Sequence, residues 1–110
     1  MFETLLQPGD EEERCGLILK DGTVVELKNV AAEPKTSFEM DAEEALPHIA
    51  SGEAAMTWHT HPFSDSNLSG EDYSTFLCWP DLVHVIVGMR DGAVAVAKFK
   101  AQDGVILVCD

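Results

Sequence analysis

Three Asp-Gly pairs, Asp21-Gly22, Asp91-Gly92 and Asp103-Gly104, each separate two runs rich in apolar and β-branched residues. Asp and Gly tolerate the positive φ of tight hairpin turns, so each pair predicts two antiparallel strands joined by a short loop. The expected hairpin joins 15–20 to 23–28, and a C-terminal meander follows over 82–88, 93–100 and 105–109. A further strand is expected over 54–61, entered from Gly52.

Helices fit between the strands. Asp41 can cap one over 42–50, with Glu44 closing a capping box. Pro47 lies inside that window and should break or kink it. Ser69 can cap a second helix over 70–78, ended by Pro80, and a short helical turn is expected over 2–6. The expected class is therefore α/β (α+β), a mostly antiparallel mixed sheet with flanking helices. A chain of 110 residues has room for one domain, spanning 1–110.

Twenty acidic residues against seven basic ones give a formal charge of −13. That balance excludes the Lys/Arg surface that nucleic-acid binding needs, and it repels anionic membranes. A partner steered by charge would be neutral or basic, although solubility alone accounts for the acidity. The longest apolar runs, 82–87 and 105–109, are too short to cross a bilayer. The first six residues carry an acid and no basic flank, unlike a secretory signal, so a cytoplasmic or virion-associated protein is expected. Cys15, Cys78 and Cys109 are an odd count without a C-x-x-C pair. This predicts three reduced, mostly buried thiols, with one disulfide and a spare thiol as the alternative.

The chemistry concentrates in His59-Thr60-His61-Pro62-Phe63-Ser64-Asp65-Ser66-Asn67-Leu68-Ser69-Gly70-Glu71-Asp72. On a strand, residues i and i+2 project to one face about 6–7 Å apart, so His59 and His61 can converge on one ion. The following loop can bring Asp72 back, completing the His, His, Asp set of a catalytic zinc site with a corner left for water. Asp72 would lie in a helix's first turn, where the macrodipole favours its anion, and Ser69 would sit at the mouth of the site. Taken singly, His-x-His is weak and Ser-x-x-Asp is an ordinary capping box. Their conjunction is what points to metal chemistry.

This segment resembles the JAMM, or MPN-plus, metalloprotease signature: His-x-His-Pro, a spacer, then Ser-x-x-Asp. Glu13-Arg14-Cys15-Gly16 is similar to the family's upstream glutamate before Cys-Gly. The resemblance implies a JAB/MPN-like fold with cytidine-deaminase-like layers, and one Zn²⁺ per chain held by His59, His61 and Asp72. It implies Glu13 as general base and Ser69 as oxyanion donor in hydrolysis of a peptide or isopeptide bond. Spacing alone does not choose among Glu11, Glu12 and Glu13; distance to Cys15-Gly16 selects Glu13. Cys15 shares the face of Glu13 by alternation and is expected to be packed. A narrower likeness, in Cys15-Gly16-Leu17, residues 28–34 and 37–41, is to the N-terminal domain of lambda-like phage tail-assembly proteins. The implied partners are protein or peptide substrates, either ubiquitin-like or phage tail and cell-wall proteins.

The competing reading is a non-catalytic tail-assembly module on the same fold. A zinc nucleoside deaminase would need His-x-Glu and Pro-Cys-x-x-Cys, and neither occurs. Among the remaining candidates, His84 and Trp58 are expected in the core and His48 on the surface. Phe63 and Trp79 could line a groove, but aromatics at loop or helix ends usually serve packing.

Overall fold

The computed structural model describes residues 2–109; Met1 and Asp110, the ends of the expected 1–110 domain, lie outside them. Asp91 and Gly92 have φ of 52° and 80°, and Asp103 and Gly104 have φ of 53° and 80°. Two successive left-handed residues are what a two-residue hairpin loop requires. They join β4 (Val83–Arg90), β5 (Ala93–Gln102) and β6 (Val105–Cys109) as the predicted meander. At the first Asp-Gly pair only Gly22 has positive φ, and the Gly22 N–H bonds Leu19 O in a longer turn. That turn joins β1 (Cys15–Leu19) to β2 (Val24–Leu27).

With β3 (Ala54–Thr60), the strands form one six-stranded sheet in the order β2-β1-β3-β4-β5-β6. Every neighbouring pair is antiparallel except β3 and β4. A parallel pair needs a crossover, and α2 (Gly70–Cys78) lies within it. The sheet is thus mixed and mostly antiparallel, as expected.

Both helices cover one face of this sheet. α1 (Ala42–Ala50) sets Ala45 and Ile49 against Leu17, Leu27, Ala54 and Leu82. Phe76 of α2 packs on Ile86 and Phe99. On the opposite face Ile18, Trp58, Val85 and Val87 are covered by Leu6 and the 3₁₀ turn Phe2–Leu5. Trp58 is fully buried, as expected of a core residue. No helix among the described residues is long and apolar enough to cross a membrane.

Four local expectations are corrected. Of the break or kink expected at Pro47, the break does not occur, since α1 runs through it; both Pro47 and Glu43, the residue four before it, face solvent, so water can satisfy the carbonyl that loses its partner. Asp41 caps α1 by accepting from the Glu43 N–H, but Glu44 does not close a box. Its carboxylate instead accepts the Lys28 N–H at 2.8 Å, tying the helix to the end of β2. All three cysteines are free, yet only Cys15 is buried: Cys78 lies exposed at the end of α2, and Cys109 is half-covered on an edge strand. His48 is half-buried rather than exposed, its ring 4.0 Å from the Glu53 carboxylate.

Candidate metal centre

The pairing of β1 with β3 positions the site. Cys15 lies opposite His59, and the ladder extends one step further through Thr60 N–H to Arg14 O and Arg14 N–H to Thr60 Oγ1, both 2.9 Å. Alternation then sends Arg14, Trp58 and Thr60 to one face and Glu13, Cys15, His59 and His61 to the other. Arg14 is fixed on its own face by a two-pronged bond to Glu26 at 2.9 and 2.6 Å and by Leu5 O at 2.8 Å.

Asp72 reaches the same place from α2. Ser69 caps that helix in a reciprocal box: its hydroxyl accepts the Asp72 N–H at 3.1 Å, and its own N–H bonds an Asp72 oxygen at 3.0 Å. The cap aims the carboxylate at the sheet. Asp72 Oδ1 is 3.2 Å from His59 Nε2, and Oδ2 is 3.2 Å from His61 Nε2. The two Nε2 atoms are 3.1 Å apart. One ligand atom from each of Glu13, His59 and His61 also falls within 4.8 Å of the others. The structure therefore brings Glu13, His59, His61 and Asp72 together, all buried, with Ser69 at the rim.

The hydrogen bonds fix how the rings face. His61 Nδ1 lies 2.8 Å from the Asp65 carbonyl, which can only accept, so Nδ1 carries the proton. In the neutral ring the Nε2 lone pair then turns toward an Asp72 oxygen and toward His59. Lone pairs crowded in this way call for a positive charge among them. The separations of 3.1 and 3.2 Å approach the edges, about 3.3 Å, of a tetrahedron with the bond lengths of about 2.0–2.1 Å usual for zinc. The donor set thus fits a divalent cation. Among the described residues His59 Nδ1 is buried without a hydrogen-bond partner, and its ring stacks on Phe38 at 4.0 Å.

The electrostatics separate the two acids. Burial pushes the Glu13 carboxyl up to about 7, with Asp72 and Glu71 adding to the effect and His61 opposing it. Burial acts on Asp72 in the same sense, yet the two facing imidazoles, once protonated, and the Ser69 N–H hold it far below the usual carboxylate range. Burial also disfavours a charged ring at both histidines. It prevails at His59, which is lowered, whereas Asp72, the Asp65 carbonyl and Glu13 raise His61. Burial raises the Cys15 thiol to about 12; its Sγ lies 3.8 Å from Leu27 O, so it is packed in the un-ionised form.

Three contributors were not singled out from the sequence. Asn29 spends its whole side-chain amide on four bonds. It donates to Glu13 O and Ser37 O at 2.8 and 3.0 Å, and accepts from Ala31 and Glu39 N–H at 3.0 Å each. It thereby ties the segment carrying Phe38 to the backbone of Glu13. Asp65 contributes through a main-chain carbonyl, which leaves no side-chain signature. Phe38 belongs to no motif of its own. Beside Asp72 a groove of about 600 Å³ runs between α1 and α2, lined by Phe38, Met40, Leu46, Ile49 and Trp79. Trp79 lines this groove and also packs against the Leu17 and Leu82 cluster, and Phe63 borders another groove, of about 520 Å³, with Leu6 and Met89.

Fold and site together define a mixed-sheet α+β protein with a candidate centre of two histidines and two acids. No protein-family model matches the chain. Among curated proteins it is similar to "Desampylase" of Haloferax volcanii, with 34% identity covering 67% of this chain. The chain spans 60% of that relative's length. Among solved structures, one from Desulfitobacterium hafniense superposes with a TM-score of 0.75 at 20% identity, over 99% of this chain and 83% of the other. Another, from Salinibacter ruber, gives 0.57 at 24% identity over 93% and 77%. These two likenesses concern the fold.

Proposed function

We propose that this chain is a JAMM/MPN-type metallopeptidase or isopeptidase, a single domain that binds one Zn²⁺ and hydrolyses a peptide or isopeptide bond. The observation that carries the reading is the mutual facing of His59 Nε2, His61 Nε2 and the Asp72 carboxylate at 3.1–3.2 Å. His59, His61 and Asp72 would hold the ion. Glu13 is kept for proton transfer, because it is buried beside both histidine rings while Asp72 faces both Nε2 atoms. When bound, the ion would supply an acidified water and polarise the scissile carbonyl.

The chain's own groups do the rest. Glu13 takes a proton from the attacking water and returns it to the departing nitrogen, a task for a carboxylate within reach of that water. The Ser69 hydroxyl accepts from the Asp72 N–H, which leaves its own proton free for the developing oxyanion. The groove between α1 and α2 would seat substrate beside Asp72. Similarity to the Haloferax protein supports a protein substrate joined through an isopeptide bond to a ubiquitin-like partner.

Zinc-loaded protein should cleave isopeptide-linked ubiquitin-like conjugates or members of a peptide library. Glu13→Gln should keep the metal and lose about 10²–10⁴-fold in rate. Zinc-loaded wild type that hydrolyses nothing would overturn the catalytic reading. That result would favour the assembly-module alternative. Full function of Asp72→Ala in its native assembly would favour it too.

A further inference from the structure

His61 is the last ligand before the chain leaves the sheet, and loop 63–68 folds back over the end of β4. Three features press that loop down. The Met89 N–H bonds Ser64 O at 2.7 Å, just beyond the bond from His61 N–H to Val87 O at 2.8 Å. Gly88 lies directly beneath, where an added Cβ would come within 2.5 Å of Asp65 C and 2.6 Å of Ser64 O and Ser66 N. Arg90 grips the Asp65 carboxylate with Nε and Nη2, each 3.0 Å from an oxygen. The same Asp65 presents its carbonyl to His61 Nδ1 at 2.8 Å.

We propose that Arg90, Asp65 and Gly88 form a clasp that positions His61, holding the Asp65 carbonyl on Nδ1 so that Nε2 is presented toward the metal site. Arg90 and Gly88 are positioning residues that act through the loop and touch no reacting atom. A metal-bound imidazole is oriented by the acceptor on its other nitrogen. Here that acceptor belongs to a loop whose 64–66 backbone is anchored to β4 from three directions. A planar guanidinium suits the task because its two-pronged bond fixes orientation as well as distance, which a lysine ammonium does not. The inference rests on the metal-site reading for its consequence in zinc affinity, and on the geometry alone for its effect on the ring.

Arg90→Gln and Arg90→Lys in the full chain test it, because the Arg90 side chain is 60% exposed and its loss opens no cavity. Long-range ¹⁵N–¹H spectra of the metal-free protein, recorded above the imidazole titration range, should show His61 protonated on Nδ1 in the wild type. Arg90→Gln should give a mixture of tautomers, and Arg90→Lys should lie between. Chelator competition should find zinc bound roughly five- to tenfold more weakly by Arg90→Gln, with the metal-free unfolding midpoint near wild type. Gly88→Ala should shift the same spectra if it folds; the Arg90 variants decide the matter if it does not. An unchanged tautomer in Arg90→Gln would overturn the clasp, as would an affinity loss matched by a general loss of stability. Should the wild type itself take up no zinc, the metal reading fails while the His61 spectra still decide this one.

Discussion

Glu13 shows what burial does to one acid. It lies three residues after Asp10, in a run of glutamates from which only its distance to Cys15-Gly16 marks it out. Only Glu13 is buried, because the β1–β3 ladder reaches Arg14 and turns its predecessor inward. Its carboxyl titrates at about 7 in the fold and near 4.5 when unfolded. The unfolded chain therefore loses this proton first, and metal-free stability falls as pH rises between those values. Glu13→Gln removes the penalty. With chelator present, urea unfolding should show the variant gaining on wild type from pH 4.5 to 7; a constant difference would contradict the burial argument. The histidines were readable because His-x-His fixes a shared face through the period of a strand. Asp65 was not, since a carbonyl's role depends on where the loop lies.

Among the elements, the segment between β2 and α1 is tied by the Asn29 amide as well as by main-chain bonds such as Val30 N–H to Glu39 O. Asn29 makes four bonds there, two of them as donor. Asn29→Asp keeps the shape and the acceptor but strips both donors, and should destabilise the chain by about 1–3 kcal/mol in urea. A change below about 0.5 kcal/mol would show the segment to be held by other means. His84 joins three elements in a similar way. Its Nε2–H faces Trp79 O at the end of α2, so Nδ1 accepts from the Thr57 hydroxyl on β3 at 2.6 Å, while Phe76 stacks on the ring at 4.1 Å. Burial lowers it to about 4, so it stays neutral in the fold. Its contribution is present above about 6.5 and is lost as pH falls through 4. His84→Gln should flatten that part of the stability profile, and an unaltered slope would contradict the assignment. Turn chemistry made the strands legible. The helix caps were half legible: Ser69 and Asp72 pair as expected, whereas Glu44 is drawn to a neighbouring backbone that local pattern cannot foresee.

For the whole molecule, the mixed sheet is what joins distant segments into one site. Glu13 precedes β1, His59 lies next to last in β3, and Asp72 sits in the first turn of the crossover helix that joins the parallel β3 and β4. The class of fold followed from the Asp-Gly turns and capping signals. Strand order did not, since it depends on which edges pack beneath α1 and α2. Everything chemical depends on those segments meeting around a cation. Metal analysis by emission spectrometry of the purified chain and of the His59→Ala, His61→Ala double variant tests this most directly. About one zinc per wild-type chain is expected, and none in a double variant that keeps its circular dichroism. A wild type that binds no zinc, or a double variant that retains it, would contradict the account.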